Sequence, residues 1–151
     1  MAVASESIAA ELGMALLASA ADAILATDRK GIVRFWNSGA VRLLGFTAEQ
    51  ALGASLVLII PERLRQRHWN GWEQVIATGV TRYGAADLLS APALTSDGRQ
   101  ISVEFTITLL HAADRTISGM AAILRDVTPR FEELRRLRRE AAGHASRERT
   151  R

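Results

Sequence analysis

One histidine, His68, has a sequence setting in which its imidazole could bind a ligand or a metal. The spacing of Leu64, His68 and Trp72 places the three side chains on one face of a predicted helix, away from the neighbouring arginines. A lone imidazole that faces an apolar pocket is what axial ligation of haem iron requires. The alternative is a helix histidine that hydrogen-bonds a backbone carbonyl or reaches solvent. The sequence favours this alternative, because a single histidine specifies little.

Tryptophans form the second group of candidates for a binding site. Trp36 ends a predicted hairpin strand and Trp72 lies one helical turn from His68, so either ring could stack on a planar ligand. The simpler interpretation, which we favour, is that these large rings fill the core of a small domain. Trp69 is predicted on the other side of the helix, where it could meet a partner surface.

No catalytic arrangement is recognisable in the sequence. There is no Ser-His-Asp set, no phosphate-binding glycine loop and no paired carboxylate site, so we expect no enzyme activity. His111 and His144 are isolated and far apart in sequence, which does not make a metal site. The chain has no cysteine, which excludes disulfides and thiolate metal ligands.

The length and composition suit one domain with its own core. The chain has 151 residues, of which 48% are hydrophobic. No apolar run approaches the roughly 18–20 residues needed to span a bilayer, so no membrane association is expected. The first residues are alanine-rich, but Glu6, Glu11 and Asp22 interrupt them and no basic leader precedes them. We therefore expect a cytoplasmic protein.

The net charge of +3 comes from the C-terminal segment. Residues 1–128 contain 11 Lys and Arg against 12 Asp and Glu, whereas residues 129–151 contain 8 Arg against 4 Glu. The arginines could contact phosphates or an acidic partner. Because glutamates are interleaved and no nucleic-acid-binding motif is present, the sequence favours a solvated linker helix and no nucleic-acid partner.

The apolar periodicity predicts a set of alternating strands and helices. An amphipathic helix with Ser5 or Ser7 near its cap comes first, and a basic helix that frays beyond Gly143 comes last. Between them we predict strands over Ala23–Thr27, Ile32–Trp36, Arg82–Leu89, Ile101–Leu110 and Thr116–Asp126, with helices over Ser38–Leu44, Ala48–Leu52 and Pro61–Ala77; the first helix is predicted over Ser5–Ala20.

Four segments carry motifs in a distinctive order: Asp28–Phe46, Leu52–Arg63, Ser96–Phe105 and Met120–Thr128. The second contains Leu-Ile-Ile-Pro-Glu, the third an Asp-Gly turn before a strand, and the fourth a closing Arg-Asp-Val-Thr. In this order and spacing they resemble the motifs of PAS domains, which are sensory modules. The resemblance spans roughly residues 14–128 of the chain.

The resemblance implies an α+β fold with a single PAS domain. We expect a five-stranded antiparallel sheet, helices on one of its faces, and a flanking helix at each end. The implied boundaries are residues 1–21 for the N-terminal flanking helix, 22–128 for the PAS domain and 129–151 for the basic helix or linker. The family binds ligands between the long helix and the inner sheet face, and the implied pocket residues are Trp36, Leu64, His68, Trp72, Leu89, Ile107 and Ile123.

The resemblance also implies a function. We expect a cytoplasmic sensory module that binds a small ligand or a protein partner and signals through its flanking helices to a downstream signalling protein. A homodimer through the N-terminal helix is expected, because an isolated amphipathic helix is unstable alone. The ligand itself is unknown, but a flavin that forms a cysteine adduct is excluded by the absence of cysteine.

A haem-based gas or redox sensor is the alternative function. The Arg-x-Arg-His sequence ending at His68 resembles the haem-binding PAS oxygen sensors of rhizobia, whose proximal histidine matches His68. Those sensors carry an arginine eight residues before the Asp-Gly turn, and Leu89 occupies that position in this chain. A haem would therefore have an apolar distal side, which argues against oxygen sensing of that type.

Overall fold

The computed structural model describes residues 2–81 and 87–149, with the side chains of residues 2–5 left out of account. The strands and α-helices of the described chain follow one another in the order that the sequence predicts. Its elements are α1 (Ala2–Leu17), β1 (Ala23–Asp28), β2 (Val33–Trp36), α2 (Ser38–Leu44), α3 (Ala48–Ala51), a 3₁₀ helix (Leu56–Ile59), α4 (Glu62–Thr78), β3 (Leu89–Leu94), β4 (Gln100–His111), β5 (Ile117–Asp126) and α5 (Thr128–Glu148).

The five strands form one antiparallel sheet in the order β2-β1-β5-β4-β3. The first and last strands of the domain are therefore neighbours near the middle of the sheet. Ala23 at the start of β1 pairs with Leu124 near the end of β5. As a result, α1 and α5 join neighbouring strands at the same end of the sheet.

One face of the sheet carries the core. Leu25 pairs with Trp36 on one side and with Ala122 on the other, so these three side chains share a face. Buried residues of α2, α3 and the 3₁₀ helix pack with that inner face, among them Ala40, Leu44, Ala51 and Ile59. The expected α+β fold, with helices on one face of a five-stranded antiparallel sheet and a flanking helix at each end, is confirmed.

The prediction for the third strand is wrong. We expected a strand over Arg82–Leu89, but the strand is Leu89–Leu94, and residues 82–86 lie outside the described residues. Leu94 pairs with Gln100 across the Asp97-Gly98 turn, which makes β3 and β4 a hairpin. Pro92 lies inside β3, and a proline is tolerated there because β3 is an edge strand.

Both flanking helices differ from their predicted bounds. The first begins at Ala2 and ends at Leu17, and Ser7 lies within it, where its hydroxyl donates a hydrogen bond to Glu11 instead of capping the helix. The last runs through Gly143 to Glu148, although fraying was expected there. Residues 2–81 and 87–149 contain no helix long and apolar enough to cross a membrane.

The segment Ala18–Asp22, which we call the junction, connects α1 to β1 and is held by α2. Asn37 is the N-cap of α2, and its side chain makes four hydrogen bonds. Its Oδ1 accepts from the backbone N–H groups of Ile24 and Ala40, each at 2.8 Å. Its Nδ2 donates to the carbonyl oxygens of Ser19 and Asp22 at 2.9 and 3.0 Å. One buried amide thus fixes the junction, the start of β1 and the start of α2 together.

Charged side chains and a close backbone approach complete the junction. The guanidinium of Arg42 donates to the carbonyl oxygens of Ala20 and Ala21 at 2.7 and 2.9 Å. Arg125 of β5 forms an ion pair with Asp22 at 2.8 Å. Gly39 allows the contact between α2 and the junction, because a Cβ at this position would collide with the carbonyl of Asp22.

We predict that Asn37→Asp destabilises the domain. The substitution keeps an acceptor oxygen but removes both donors and places a buried carboxylate beside two carbonyl oxygens. The expected loss of unfolding free energy is about 2–4 kcal/mol, measured by urea denaturation. The matched control is Asn70→Asp on the exposed surface of α4, which should change stability by less than about 0.5 kcal/mol. Equal stability of the two variants would contradict this role of Asn37.

Candidate functional site

The inward side of α4 matches the helix face predicted from the sequence. Trp72 is buried, and the two other residues predicted on that face, Leu64 and His68, are half-buried, as are Val75 and Ile76. The helix ends at Thr78, one residue beyond the predicted Ala77, and its C-cap Gly79 adopts the left-handed conformation with φ of 71°. The spacing of three and four residues therefore predicted this face correctly.

Two tryptophans anchor α4 to the turn between β1 and β2. The indole N–H of Trp72 donates to the carbonyl oxygen of Arg29 at 2.8 Å. The ring of Trp69 covers Gly31, since a Cβ on that glycine would lie 2.7 Å from the ring. Trp69 was predicted to lie on the opposite side of the helix, and that prediction is wrong. Gly31, with φ of 76°, permits both the turn and this close contact.

His68 packs against both of these rings, which also contact each other with a centroid distance of 6.2 Å. Its ring centroid is 5.1 Å from that of Trp69 and 6.0 Å from that of Trp72. The Nε2 atom is buried and has no hydrogen-bond partner among the residues that the structure describes. Burial lowers the pKa of His68, which favours the neutral imidazole. The side chain therefore presents an uncharged nitrogen that could accept, donate or ligate.

Leu89 and Ile107 project from the inner face of the sheet, as predicted. Leu89 pairs with Phe105, and Ile107 pairs with Ala122, which belongs to the inner face. Both residues are only half-buried, so this part of the inner face is less covered than the part beneath α2 and α3. An apolar surface that is partly uncovered is where a ligand could lie.

Ile123 does not belong to this site. It pairs with Ile24 and Thr106, whereas its neighbours Ala122 and Leu124 point to the inner face. Side chains alternate along a strand, so Ile123 lies on the outer face, where it is 44% exposed. Its assignment to the pocket is wrong because the parity of β5 could not be counted until its pairing was known.

Trp36 is part of the core. It is 6% exposed, packs in the cluster that contains Ala40 and Leu44, and donates its indole N–H to the carbonyl oxygen of Phe46 at 3.1 Å. Its one donor is therefore already used by the protein. The structure supports the simpler interpretation of this residue as a core side chain.

Sequence reasoning missed Thr27. This residue is 3% exposed, and its hydroxyl oxygen is buried without a hydrogen-bond partner in the described part of the chain. It pairs with Val33 and Met120 and follows Leu25 by two positions, which places it on the inner face. The alternation of Leu25 and Thr27 could have identified a polar group in an otherwise apolar surface.

Two further features complete the survey of the described residues. A shallow, open depression of about 480 Å³ is lined by Pro61, Glu62, Arg63 and Leu94, at the start of α4. It includes none of the predicted pocket residues. Within residues 2–81 and 87–149, no three His, Asp or Glu side chains form a group that could hold a metal ion.

The sequence matches a family model described as the PAS fold over residues 17–132. A protein of Azorhizobium caulinodans is 30% identical over 128 residues, which cover 84% of this chain and 17% of that protein. The chain therefore spans about a sixth of the length of this relative.

Two solved structures show a similar fold. The PAS domain of a Colwellia psychrerythraea protein has a TM-score of 0.68 and 21% identity, with 81% of this chain and 98% of that chain covered. A domain of a sensory box sensor histidine kinase/response regulator from Geobacter sulfurreducens has a TM-score of 0.59 and 21% identity, with 78% and 93% covered. With the family match over residues 17–132, they lead to one assignment: the chain belongs to the PAS fold family.

Proposed function

We propose that this PAS domain is a cytoplasmic sensory module without catalytic activity of its own. It binds a small ligand between α4 and the inner face of the sheet, and ligand binding changes the positions of α1 and α5. One observation carries the proposal: His68 Nε2 and Thr27 Oγ1 are buried without partners among the described residues. Unpaired buried polar atoms cost free energy, and a ligand with a polar edge would pair them.

The connectivity supports a route from this site to the flanking helices. Strand β1 has the Trp72 contact with Arg29 just beyond its end and the junction with Asp22 just before its start. A ligand that shifts α4 would act on the turn, and β1 is a short, hydrogen-bonded strand that connects this turn to the junction. Movement there would reach α1 directly and α5 through the ion pair of Asp22 with Arg125.

We predict that native mass spectrometry of the protein, purified without denaturation, shows a bound small molecule. Ile107→Trp should reduce the bound fraction, because the larger ring would fill the uncovered part of the inner face. The matched control is Ile123→Trp on the outer face, which should keep the ligand. Loss of the ligand in both variants, or no bound mass in the unaltered protein, would contradict the proposed site.

A haem-based gas or redox sensor is the second candidate, and it is favoured by the state of His68. Its Nε2 is buried, unpartnered among the described residues and held neutral by a lowered pKa, which is the form that binds iron. In this candidate His68 would be the axial ligand and Leu89 would contribute to an apolar opposite wall. Haem would supply the binding of a diatomic gas or a change of oxidation state.

The second candidate predicts a sharp Soret absorption band after reconstitution with haemin. His68→Ala should weaken or shift the band, because the axial nitrogen is removed. The matched control is His111→Ala on the exposed end of β4, which should leave the spectrum unchanged. A band that is identical in His68→Ala, or the absence of any band in the unaltered protein, would reject haem ligation by His68.

We further propose that the module is a homodimer and that its partner in signalling is a downstream protein. Apolar side chains of α1 are uncovered in the single chain, including Ile8 at 64% and Leu12 and Leu16 at 57% exposure. Exposed apolar residues on one helix favour association with another surface. A second copy of the chain supplies such a surface.

Removal of α1 is expected to convert the dimer into a monomer. We choose deletion of residues 1–17, because Ala18–Asp22 are held by α2 and belong to the folded domain. Light scattering should show the mass of a single truncated chain, and thermal unfolding should show that the remaining domain still folds. A truncated protein that keeps the mass of a dimer would contradict dimerisation through α1.

A further inference from the structure

The two flanking helices leave the sheet at the same end, and each of them carries uncovered apolar residues. Ala23 and Leu124 are paired, and α1 ends six residues before the first while α5 begins four residues after the second. In α5, Phe131, Leu134 and Leu137 are 47%, 45% and 47% exposed. Each helix thus carries an apolar surface that the single chain does not cover.

The charges of the two helices are complementary. The sequence of α1 has two glutamates, Glu6 and Glu11, and no basic residue. The sequence of α5 has six arginines and four glutamates. The net charge is therefore −2 for α1 and +2 (six minus four) for α5, so the pair of unlike helices is favoured electrostatically over either pair of like helices.

Some of the arginines of α5 are already used within the helix. Arg136 pairs with Glu133 and Glu140, and Arg135 lies 5.8 Å from the ring centre of Phe131. Arg138 and Arg139 form no ion pair in the described part of the chain and directly follow Leu137 in the sequence. They are therefore among the arginines of α5 whose charge remains available to a second helix.

We propose that α1 of one copy packs against α5 of a second copy. This inference rests on the proposed homodimer and names its contact surface. A two-fold axis would make the contact twice, so that both apolar surfaces of each chain are covered. In each contact the net negative charge of α1 meets the net positive charge of α5, and this difference in charge selects the unlike pair of helices over the like pairs.

A charge-swap experiment tests the proposal with two variants of the full chain. The first, variant X, carries Glu6→Arg and Glu11→Arg, which makes α1 basic. The second, variant Y, carries Arg138→Glu and Arg139→Glu, which makes α5 acidic. Each variant alone brings like net charges together at both contacts. We therefore expect dimer dissociation constants roughly 10- to 100-fold larger than that of the unaltered chain.

A mixture of X and Y is the decisive sample. Its mixed dimer pairs the basic α1 of X with the acidic α5 of Y, and the acidic α1 of Y with the basic α5 of X. Analytical ultracentrifugation should therefore show dimers in the mixture under conditions where each variant alone is monomeric. The matched control for X is Glu49→Arg with Glu73→Arg on exposed positions of α3 and α4, which should dimerise like the unaltered chain.

The other outcomes overturn the proposal in distinguishable ways. If X and Y remain dimeric with unchanged dissociation constants, the homodimer stands and the pairing of α1 with α5 is wrong. If X and Y are monomeric and their mixture is also monomeric, the helices do not pair between copies. If the unaltered chain is monomeric at every concentration, the proposed homodimer fails and this inference fails with it.

Discussion

The side chain of Asn37 accepts hydrogen bonds from the N–H groups of Ile24 and Ala40 and donates to the carbonyls of Ser19 and Asp22. All four groups belong to segments that would otherwise separate: the junction, β1 and α2. Because the Asn37 amide is buried, the loss of any of these hydrogen bonds would leave a buried polar group unpaired, which costs free energy. Asn37, together with Arg42 and the ion pair of Asp22 with Arg125, therefore fixes the junction that leads to α1.

The opposite end of β1 is fixed by a contact of another kind. There, Trp69 and Trp72 of α4 close over the turn at Gly31, and Trp72 uses its only donor on the carbonyl of Arg29. Packing and one hydrogen bond attach α4 to this turn, whereas a network of hydrogen bonds holds the junction at the other end. The turn itself is held by Asp28, whose carboxylate accepts from the N–H groups of Lys30 and Ile32. Packing adjusts more easily than a saturated polar network, so under the proposed function α4 is the element whose position a bound ligand would change.

Local patterns in the sequence predicted much of this architecture. The face of α4 that includes His68 followed from helical spacing, and the first hairpin was predicted from the two neighbouring strands over Ala23–Thr27 and Ile32–Trp36. The errors concern information that is not local. Ile123 was placed on the wrong face because a strand's parity depends on its partners. The position of β3 was missed because Pro92 is acceptable only in a strand known to lie at an edge.

The candidate site shows the same division between local and non-local information. Helix periodicity located His68, but it did not predict the contact of its ring with Trp69, whose direction was predicted incorrectly, or that its Nε2 has no partner among the described residues. Thr27 was overlooked because its hydroxyl is unusual only when the surrounding inner face is known to be apolar. Propensity and spacing describe which groups a segment offers, while the chemistry of the site depends on which groups remain unpaired after folding.

The adjacency of β1 and β5 has a consequence for how such a domain can be combined with other proteins. Because the chain enters and leaves the sheet on neighbouring strands, the domain can be inserted between two helices and still keep those helices close together. A small rotation of the sheet would then turn both helices together. The same domain could be inserted between two helices of many unrelated polypeptides without any change in how those helices are arranged.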